Sequence, residues 1–468
     1  MKRCFLAFAL ALTWSSGQAT NLTLSKPILY LENGVPYTVF NLSWDNAWHH
    51  ERNHDAAWLF FKLWSVNGDR QHIKVLKDGH AVVSTFATTG LKLAFKTSED
   101  GVGLFVLPES KYRGKVEAIV KVMLDPASFE GVDTRSVFFD AYGIEMVHIP
   151  EGAFEVGYPG EKAAPYGSIY QPGKNGTLAG TVKITAEDQE LLIAENGDLF
   201  YQAKRGYEGD QTGKIPAQYP KGVAPFYMMK YEVTEGQYVD FLNSLNQTEI
   251  TARAITQAEN YQAYGGSIED KEYKFFTPFP DKPCKLTSWD DAMAYADWAG
   301  LRPMTELEFT KAARGPQPAQ LGDFPWGTTD KTKMQRLPNA NGELVMNNGW
   351  LEATLSDETK AFFGASFYWV MDLSGSLWER MITIGHPDGR AFTGTHGDGV
   401  LSAGSANETW PTGETQGGVG YRGGGFYGYT RAYHEYNPFS PISYRPYGGW
   451  HGTERNIAYG TRFVRSTD

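Results

Sequence analysis

The chain has 468 residues, of which 41% are hydrophobic and 14% are aromatic. This length exceeds one ordinary hydrophobic core, so we expect two domains. The net charge of −11 gives no electrostatic attraction to phosphates, which argues against nucleic acid as a partner.

The first 19 residues have the order of a secretory signal peptide. Lys2 and Arg3 precede an apolar stretch, and small residues lead to Ala19. Cleavage near Ala19 predicts an exported protein in the periplasm, at the cell surface or outside the cell. No later stretch is apolar and long enough to span a bilayer, so we expect no transmembrane segment. Cys284 is then the single cysteine of the mature chain, which excludes an internal disulfide.

Residues 20–140 contain several runs in which apolar and polar side chains alternate. Phe40, Leu42 and Trp44 form one of them, with polar residues between. Period-two alternation buries one side of a strand, so this region is predicted to be an antiparallel β-sandwich. Two further runs lie at 91–96 and 115–122.

A second domain is expected over residues 141–468. Its residues from about 158 to 222 are rich in glycine, proline and polar side chains and are interpreted as an insertion, with one strand pair formed by 180–184 and 190–200. Further on, Ser288 and Thr305 each precede a carboxylate by three residues. That spacing is typical of a helix N-terminus and predicts two short helices.

The segment from His50 to His54 matches a zinc-protease pattern, in which two histidines one helical turn apart bind zinc and Glu51 activates water. The pattern requires a helix, whereas the neighbouring residues alternate like strands. We therefore interpret the segment as a polar connecting loop and keep a zinc metallopeptidase at His50 and His54 as an alternative.

Nine short motifs follow one another between residues 144 and 466. They are MVHIPEGAF at 146–154, PFYMMKYEVT at 225–234, SWDDA at 288–292, LRPMTELE at 301–308, AARG at 312–315, FPWG at 324–327, MDLSGSLWE at 371–379, RGGG at 422–425 and GTRF at 460–463. In their order and spacing they resemble the family of formylglycine-generating enzymes and sulfatase-modifying factors, which also includes ergothioneine-synthase-type members.

The resemblance implies a C-type-lectin-like formylglycine-generating-enzyme fold with little regular secondary structure for the second domain. With the β-sandwich predicted from alternation before it, the expected fold class is α+β. The resemblance also implies structural calcium, since the family places an Asn or Asp side chain and backbone carbonyls before its Trp-Glu pair. Such oxygen ligands suit calcium. On this chain the ligands would be Asp372 with the carbonyls of Leu373, Gly375 and Leu377, and a second site would begin near Asn341.

The resemblance does not imply that this chain has the catalytic activity of the family's active members. Active members hold copper with two cysteines that lie five positions apart after the arginine-glycine motif. Counted from Arg422, these positions fall on Gly428 and Tyr433. Neither side chain supplies the soft sulfur that selects copper(I), so we expect neither copper nor iron as a cofactor.

Aromatic residues with polar tips are concentrated in the tail, where the family's enzymes hold substrate. They predict a binding groove for a protein or a glycan, because clefts combine aromatic rings with a few polar anchors. The predicted groove residues are Arg422, Tyr427, Tyr429, Tyr433, His434 and Tyr436.

These observations favour an exported, non-catalytic, pseudoenzyme-like protein that binds a protein or glycan ligand, in an envelope or surface assembly. The alternative within the family is an oxidase or oxygenase with a metal centre that uses no cysteine, formed by His434, Glu435 and His451. The sequence does not determine the oligomeric state.

Overall fold

Mostly antiparallel sheets and a few short helices form the part of the chain that the structure describes. The exception is a three-stranded sheet in which the strands Trp378–Ile382 and Tyr459–Thr461 are parallel. This computed structural model describes residues 22–65, 70–86, 91–133, 137–174, 177–272, 274–347, 349, 351–401, 407, 410–412, 417–425 and 439–467. The predicted signal peptide at 1–19 lies outside these residues. Within them, no helix has the length and apolar character needed to cross a membrane.

The strands in chain order are β1 (Thr23–Leu24), β2 (Ile28–Glu32), β3 (Val35–His49), β4 (Asp55–Ser65), β5 (Arg70–Ile73), β6 (Ala81–Thr85), β7 (Leu93–Thr97), β8 (Leu104–Pro108), β9 (Tyr112–Met123), β10 (Val137–Ile149), β11 (Phe154–Val156), β12 (Gln171–Pro172), β13 (Leu178–Gly180), β14 (Val182–Ile184), β15 (Leu191–Ile193), β16 (Gly213–Ile215), β17 (Phe226–Met229), β18 (Glu269–Lys271), β19 (Lys274–Phe276), β20 (Arg302–Pro303), β21 (Arg336–Pro338), β22 (Leu344–Met346), β23 (Trp378–Ile382), β24 (Val419–Arg422), β25 (Tyr459–Thr461) and β26 (Phe463–Ser466). The helices are α1 (Glu235–Asn243), α2 (Gln247–Arg253), α3 (Trp289–Trp298), α4 (Glu306–Arg314), α5 (Lys360–Phe363) and α6 (Pro387–Arg390).

The first sheet has the order β1-β3-β9-β6, and β2 also pairs with β3. Phe40, Leu42 and Trp44 are buried along β3, and the polar residues between them are more exposed. The alternation that predicted strands therefore has the expected physical cause, which is burial of one side. The two other predicted runs also lie at strands, β7 and β9.

The second sheet has the order β20-β26-β17-β10-β4-β8-β7, and β5 also pairs with β4. Both faces of β4 are buried. Leu59 and Phe61 belong to the hydrophobic cluster shared with the first sheet, whereas Trp58 and Phe60 belong to the cluster that includes α1 and α3. The Trp58 indole N–H donates to the carbonyl of Ala299 at 2.8 Å, so the N-terminal strands are packed directly against the helices of the second half.

Strand β10 joins the two halves of the chain. Residues 137–147 pair with β4, and residues 146–149 pair with β17. The domain boundary expected at residue 140 thus lies inside one continuous strand. A second contact between the two halves is an ion pair, in which Arg465 of β26 lies 2.6 Å from the carboxylate of Asp100.

The two predicted helices begin at their predicted caps. Ser288 and Asp291 form a reciprocal capping box at α3, and Thr305 and Glu308 form another at α4. Helices α1 and α2 did not stand out in the sequence, although they begin with capping boxes of the same kind. The same cap spacing, from Thr234 to Gln237 and from Asn246 to Glu249, could therefore have predicted both helices.

The predicted strand pair of the insertion is wrong in its partners. Strand β14 at 182–184 pairs with β11, and β15 at 191–193 pairs with β16. Both segments are extended, but each finds its hydrogen-bonding partner in a more distant part of the chain, which alternation alone does not reveal.

Candidate functional site

The loop that was predicted to hold calcium precedes β23. Asp372 and Ser376 both have φ of +61°, and Gly375 has φ of +101°. This left-handed backbone folds the loop tightly, and a non-glycine residue adopts it only where its surroundings impose it. Asp372 and Ser376 are buried, so the loop belongs to the interior.

A largely buried arginine, Arg336, binds the carboxylate of Asp372. The Arg336 Nε lies 3.0 Å from Oδ1 and 3.2 Å from Oδ2, and Nη1 donates to the carbonyl of Leu344 at 3.0 Å. The guanidinium also lies 5.2 Å from the ring centroid of Tyr231. Burial by itself would lower the pKa of Arg336, but the charge of Asp372 outweighs it and raises that pKa above its usual value.

Two further carboxylates hold the rest of this loop. Glu232 accepts hydrogen bonds from the Ser376 hydroxyl and, at 3.1 Å, from the amide of Leu377. Glu379 pairs with Arg462, whose Nε and Nη2 each lie 2.9 Å from its oxygens. The loop is therefore stabilised by protein groups of both charges.

This arrangement does not fit calcium at Asp372. The single carboxylate predicted as a ligand is already bound by a guanidinium, so a calcium ion would have to displace Arg336. Carbonyl oxygens alone, from Leu373, Gly375 and Leu377, make a weak site for a divalent ion. Asn341, the predicted start of a second site, is exposed at the turn between β21 and β22. Among the described residues, no group of three His, Cys, Asp or Glu side chains has a metal-binding arrangement.

Arg422, predicted to face a groove, is buried instead. Its Nη1 lies 3.4 Å from Glu306, and its Nη2 donates to the carbonyl of Ile442. Glu306 also accepts from Arg445 at 2.5 Å and from the amide of Ile384 at 2.8 Å. Burial lowers the pKa of Arg422 to about 10, against the opposing effect of Glu306. Arg422 therefore stabilises the interior and does not line an open groove.

The other predicted groove residues lie outside the described residues, as do the two positions on which the resemblance places the cysteines of active members. These residues are Tyr427, Gly428, Tyr429, Tyr433, His434 and Tyr436. Glu435, predicted for the alternative metal centre, also lies outside the described residues. His451 is described, and it is exposed with its ring stacked on Trp450 at 5.3 Å.

The histidines of the zinc-protease pattern do not lie on a helix. Residues 50–54 connect β3 to β4, as the sequence indicated. The His50 ring packs edge-on against Trp369 at 4.8 Å, whereas His54 stacks on His148 at 4.6 Å and contacts the Tyr227 hydroxyl at 2.7 Å. The two rings thus have different neighbours, and the zinc-peptidase alternative is wrong in the helical geometry that it requires.

Cys284 is buried beside the start of α3. Its amide donates to the carbonyl of Val233 at 2.8 Å. Burial raises the pKa of the Cys284 thiol well above its usual value. A buried neutral thiol is a poor nucleophile and a poor metal ligand, so this residue acts as part of the core.

A cleft that the sequence did not reveal lies between the second sheet and helices α1 and α2. Its cavity volume is about 1010 Å³. Trp64 and Asp140 belong to the sheet wall, and Asp240 belongs to the helix wall. In the sequence, these residues are separated by long stretches and belong to no common motif. A local signal is the carboxylate of Asp140, which lies between the apolar residues Phe139 and Ala141 in β10.

The short helices, the many small antiparallel sheets and the buried arginine–carboxylate pairs define an α+β protein whose long loops are held by internal contacts. Residues 142–467 match the model of the sulfatase-modifying factor enzyme 1-like domain, so the chain belongs to that family. This confirms the resemblance inferred from the nine motifs.

Several relatives are named formylglycine-generating enzyme. The bovine (Bos taurus) protein is 26% identical over 201 residues, which are 36% of this chain and 51% of that protein. The one from Thermomonospora curvata is 29% identical over 116 residues, 25% of this chain and 35% of that protein. A hercynine oxygenase from Mycobacterium tuberculosis is 30% identical over 122 residues, 24% of this chain and 28% of that protein. The chain thus spans about half the length, or less, of these relatives.

Proposed function

We propose that this chain is an exported, non-catalytic member of its family that binds a protein or glycan ligand. The N-terminal strands would serve as a β-sandwich module beside the family domain, within an envelope or surface assembly. The observation that supports the proposal is the number and position of the cysteines. The full sequence contains two cysteines, Cys4 and Cys284. The first lies in the predicted signal peptide, and the second is buried.

In the route that the resemblance implies, oxygen oxidises the sulfatase cysteine at a copper ion that two accessible thiolates would hold. The predicted mature chain has no such pair of thiols. Glycine and tyrosine stand at positions 428 and 433, on which the resemblance places the cysteines of active members. A scaffold that is retained without these groups fits a binding role.

The test is an assay of formylglycine formation on a sulfatase-derived peptide, with purified mature protein and added copper. We expect no aldehyde product by mass spectrometry. As a matched control, the variant Gly428→Cys/Tyr433→Cys restores the thiol spacing. Turnover by the unmodified chain would contradict the proposal.

An oxidase or oxygenase with a cysteine-free centre remains the alternative within the family. Elemental analysis of the purified protein distinguishes this enzyme from the non-catalytic binding protein. Stoichiometric iron or copper that is lost in His434→Ala or His451→Ala would favour the enzyme, because imidazole is a common ligand of both metals. Protein without these metals agrees with the binding role.

A further inference from the structure

The cleft between the second sheet and helices α1 and α2 has the location and size of a ligand site. The cleft has a volume of about 1010 Å³ and is bounded by two walls. Trp64 in β4, with Asp140 and Tyr142 in β10, forms the sheet wall, and Asp240 in α1 and Gln247 in α2 belong to the helix wall. Junctions between packed units are common positions for small-molecule sites.

Strand geometry explains how aromatic and carboxylate groups meet on the sheet wall. Asp140 and Tyr142 are two residues apart in β10, so their side chains lie on the same face. Tyr142 stacks on Phe60 at 5.4 Å, which fixes its ring. The Trp64 indole N–H donates to Asp140 Oδ2 at 2.9 Å, and this bond orients the carboxylate in the cleft wall.

Polar groups of the cleft retain hydrogen-bonding capacity. The Arg70 guanidinium lies 4.3 Å from the ring centroid of Trp64 and donates from Nη2 to the carbonyl of Leu245 at 2.9 Å. Its Nε is buried without a hydrogen-bond partner among the described residues. The exposed carboxylate of Asp240 lies near the charges of Asp140 and Lys274. It accepts no hydrogen bond from any residue that the structure describes. A ligand hydroxyl that donates would satisfy the accessible carboxylate of Asp240.

The charges of the lining are nearly balanced. Three carboxylates and three cationic groups line the cleft. They are Asp140, Asp240, Asp281, Lys26, Arg70 and Lys274. Desolvation in the cleft and the charge of Asp140 raise the pKa of Asp240 to about 7, so its charge is partial at neutral pH and the net charge of the lining is small. A small net charge and polar-tipped rings favour a neutral ligand that is rich in hydroxyl groups, because adjacent hydroxyls match the paired atoms of carboxylates and guanidinium groups.

We propose that this cleft binds a neutral oligosaccharide through Trp64, Arg70, Asp140 and Asp240. This inference rests on the ligand-binding function proposed above and specifies the site and the class of ligand. It places the site between the second sheet and helices α1 and α2.

The experiment titrates mature protein with cellohexaose, chitohexaose and maltohexaose by isothermal calorimetry. We expect at least one of them to bind saturably. Asp240→Asn should weaken that affinity by about fivefold and Trp64→Ala by about tenfold, since each removes about 1 to 1.4 kcal/mol of contact. Asp240 is exposed, so its variant keeps the fold even where Trp64→Ala does not.

Matched controls are Asp188→Asn and Phe86→Ala, which change an exposed carboxylate and an exposed ring outside the cleft. Both should bind as the unmodified chain does. No binding of any of the three sugars would overturn the inference, as would binding that Asp240→Asn leaves unchanged or binding of an unstructured peptide in their place. A negative formylglycine assay combined with no sugar binding would leave the non-catalytic function standing and remove the glycan site alone.

Discussion

The carboxylate of Asp372 is paired with the guanidinium of Arg336 inside the protein. The guanidinium thus occupies the side of the carboxylate where a calcium ion would bind if the loop were stabilised by metal. Both side chains are largely withdrawn from water, with 12% and 3% of the Arg336 and Asp372 side chains exposed. A buried pair of this kind is costly to break, because removing one partner leaves the other charge buried without compensation.

Arg336→Gln is therefore expected to lower the free energy of unfolding by about 3 kcal/mol. Urea denaturation at pH 7.5 measures the change. The matched control is Arg52→Gln, which breaks the ion pair with Asp357, whose side chains are 21% and 53% exposed. That exposed pair should contribute less than about 1 kcal/mol. Equal losses in the two variants would contradict the view that Arg336 stabilises the loop.

The same variant tests whether Arg336 or calcium neutralises Asp372 and stabilises the loop. EGTA should leave the Tm of the unmodified protein unchanged, since Arg336 already neutralises Asp372. In Arg336→Gln, millimolar calcium should raise the Tm, because the freed carboxylate and the nearby carbonyls then offer an oxygen site. A fall of the unmodified protein's Tm in EGTA, reversed by calcium, would restore the calcium prediction.

At the level of elements, β10 belongs to both halves of the chain. Its residues 137–147 hydrogen-bond to β4, and the side chains of Trp58 and Phe60 in β4 are buried against the helices of the family domain. Removing the N-terminal strands would expose a long unpaired edge and a large apolar surface.

We therefore expect residues 20–468 to unfold in one cooperative transition by calorimetry. A fragment of residues 142–467, the part that matches the family, should bind a hydrophobic dye and elute as aggregates in gel filtration. The reason is that the packing of Trp58 and Phe60 is lost. A monomeric fragment that melts sharply near the Tm of the longer chain would show that the family domain folds independently.

At the level of the whole molecule, buried histidines make stability depend on pH. Burial lowers the pKa of His54 to about 2 and that of His148 to about 4. In the unfolded chain a histidine titrates near pH 6.5. Between these values the unfolded state binds protons that the native state does not. This contribution is fully present above pH 6.5, and stability is lost as the pH falls below it.

His54→Gln should reduce the loss of stability between pH 7.5 and pH 5 by about 2 kcal/mol, since one buried imidazole no longer resists protonation. Urea denaturation at both pH values measures it. Tyr227→Phe removes the hydroxyl that His54 contacts and leaves the imidazole in place. This control should lower stability with little change in its dependence on pH. Identical pH dependence in His54→Gln and the unmodified protein would be contrary to this account.

The amino-acid sequence by itself determined the local structure and the family. Alternation placed β3, β7 and β9, the hydroxyl caps placed α3 and α4, and nine ordered motifs led to the family that residues 142–467 match. Each of these signals depends on residues that are close in sequence or on motifs whose order is read directly.

The tertiary structure alone decided which groups meet. Arg336 reaches Asp372 across 36 residues, β14 pairs with β11 instead of its nearer neighbour, and the cleft unites Trp64, Asp140 and Asp240 from separate elements. Such contacts depend on how strands and loops are arranged around the shared second sheet, and no local pattern encodes that arrangement.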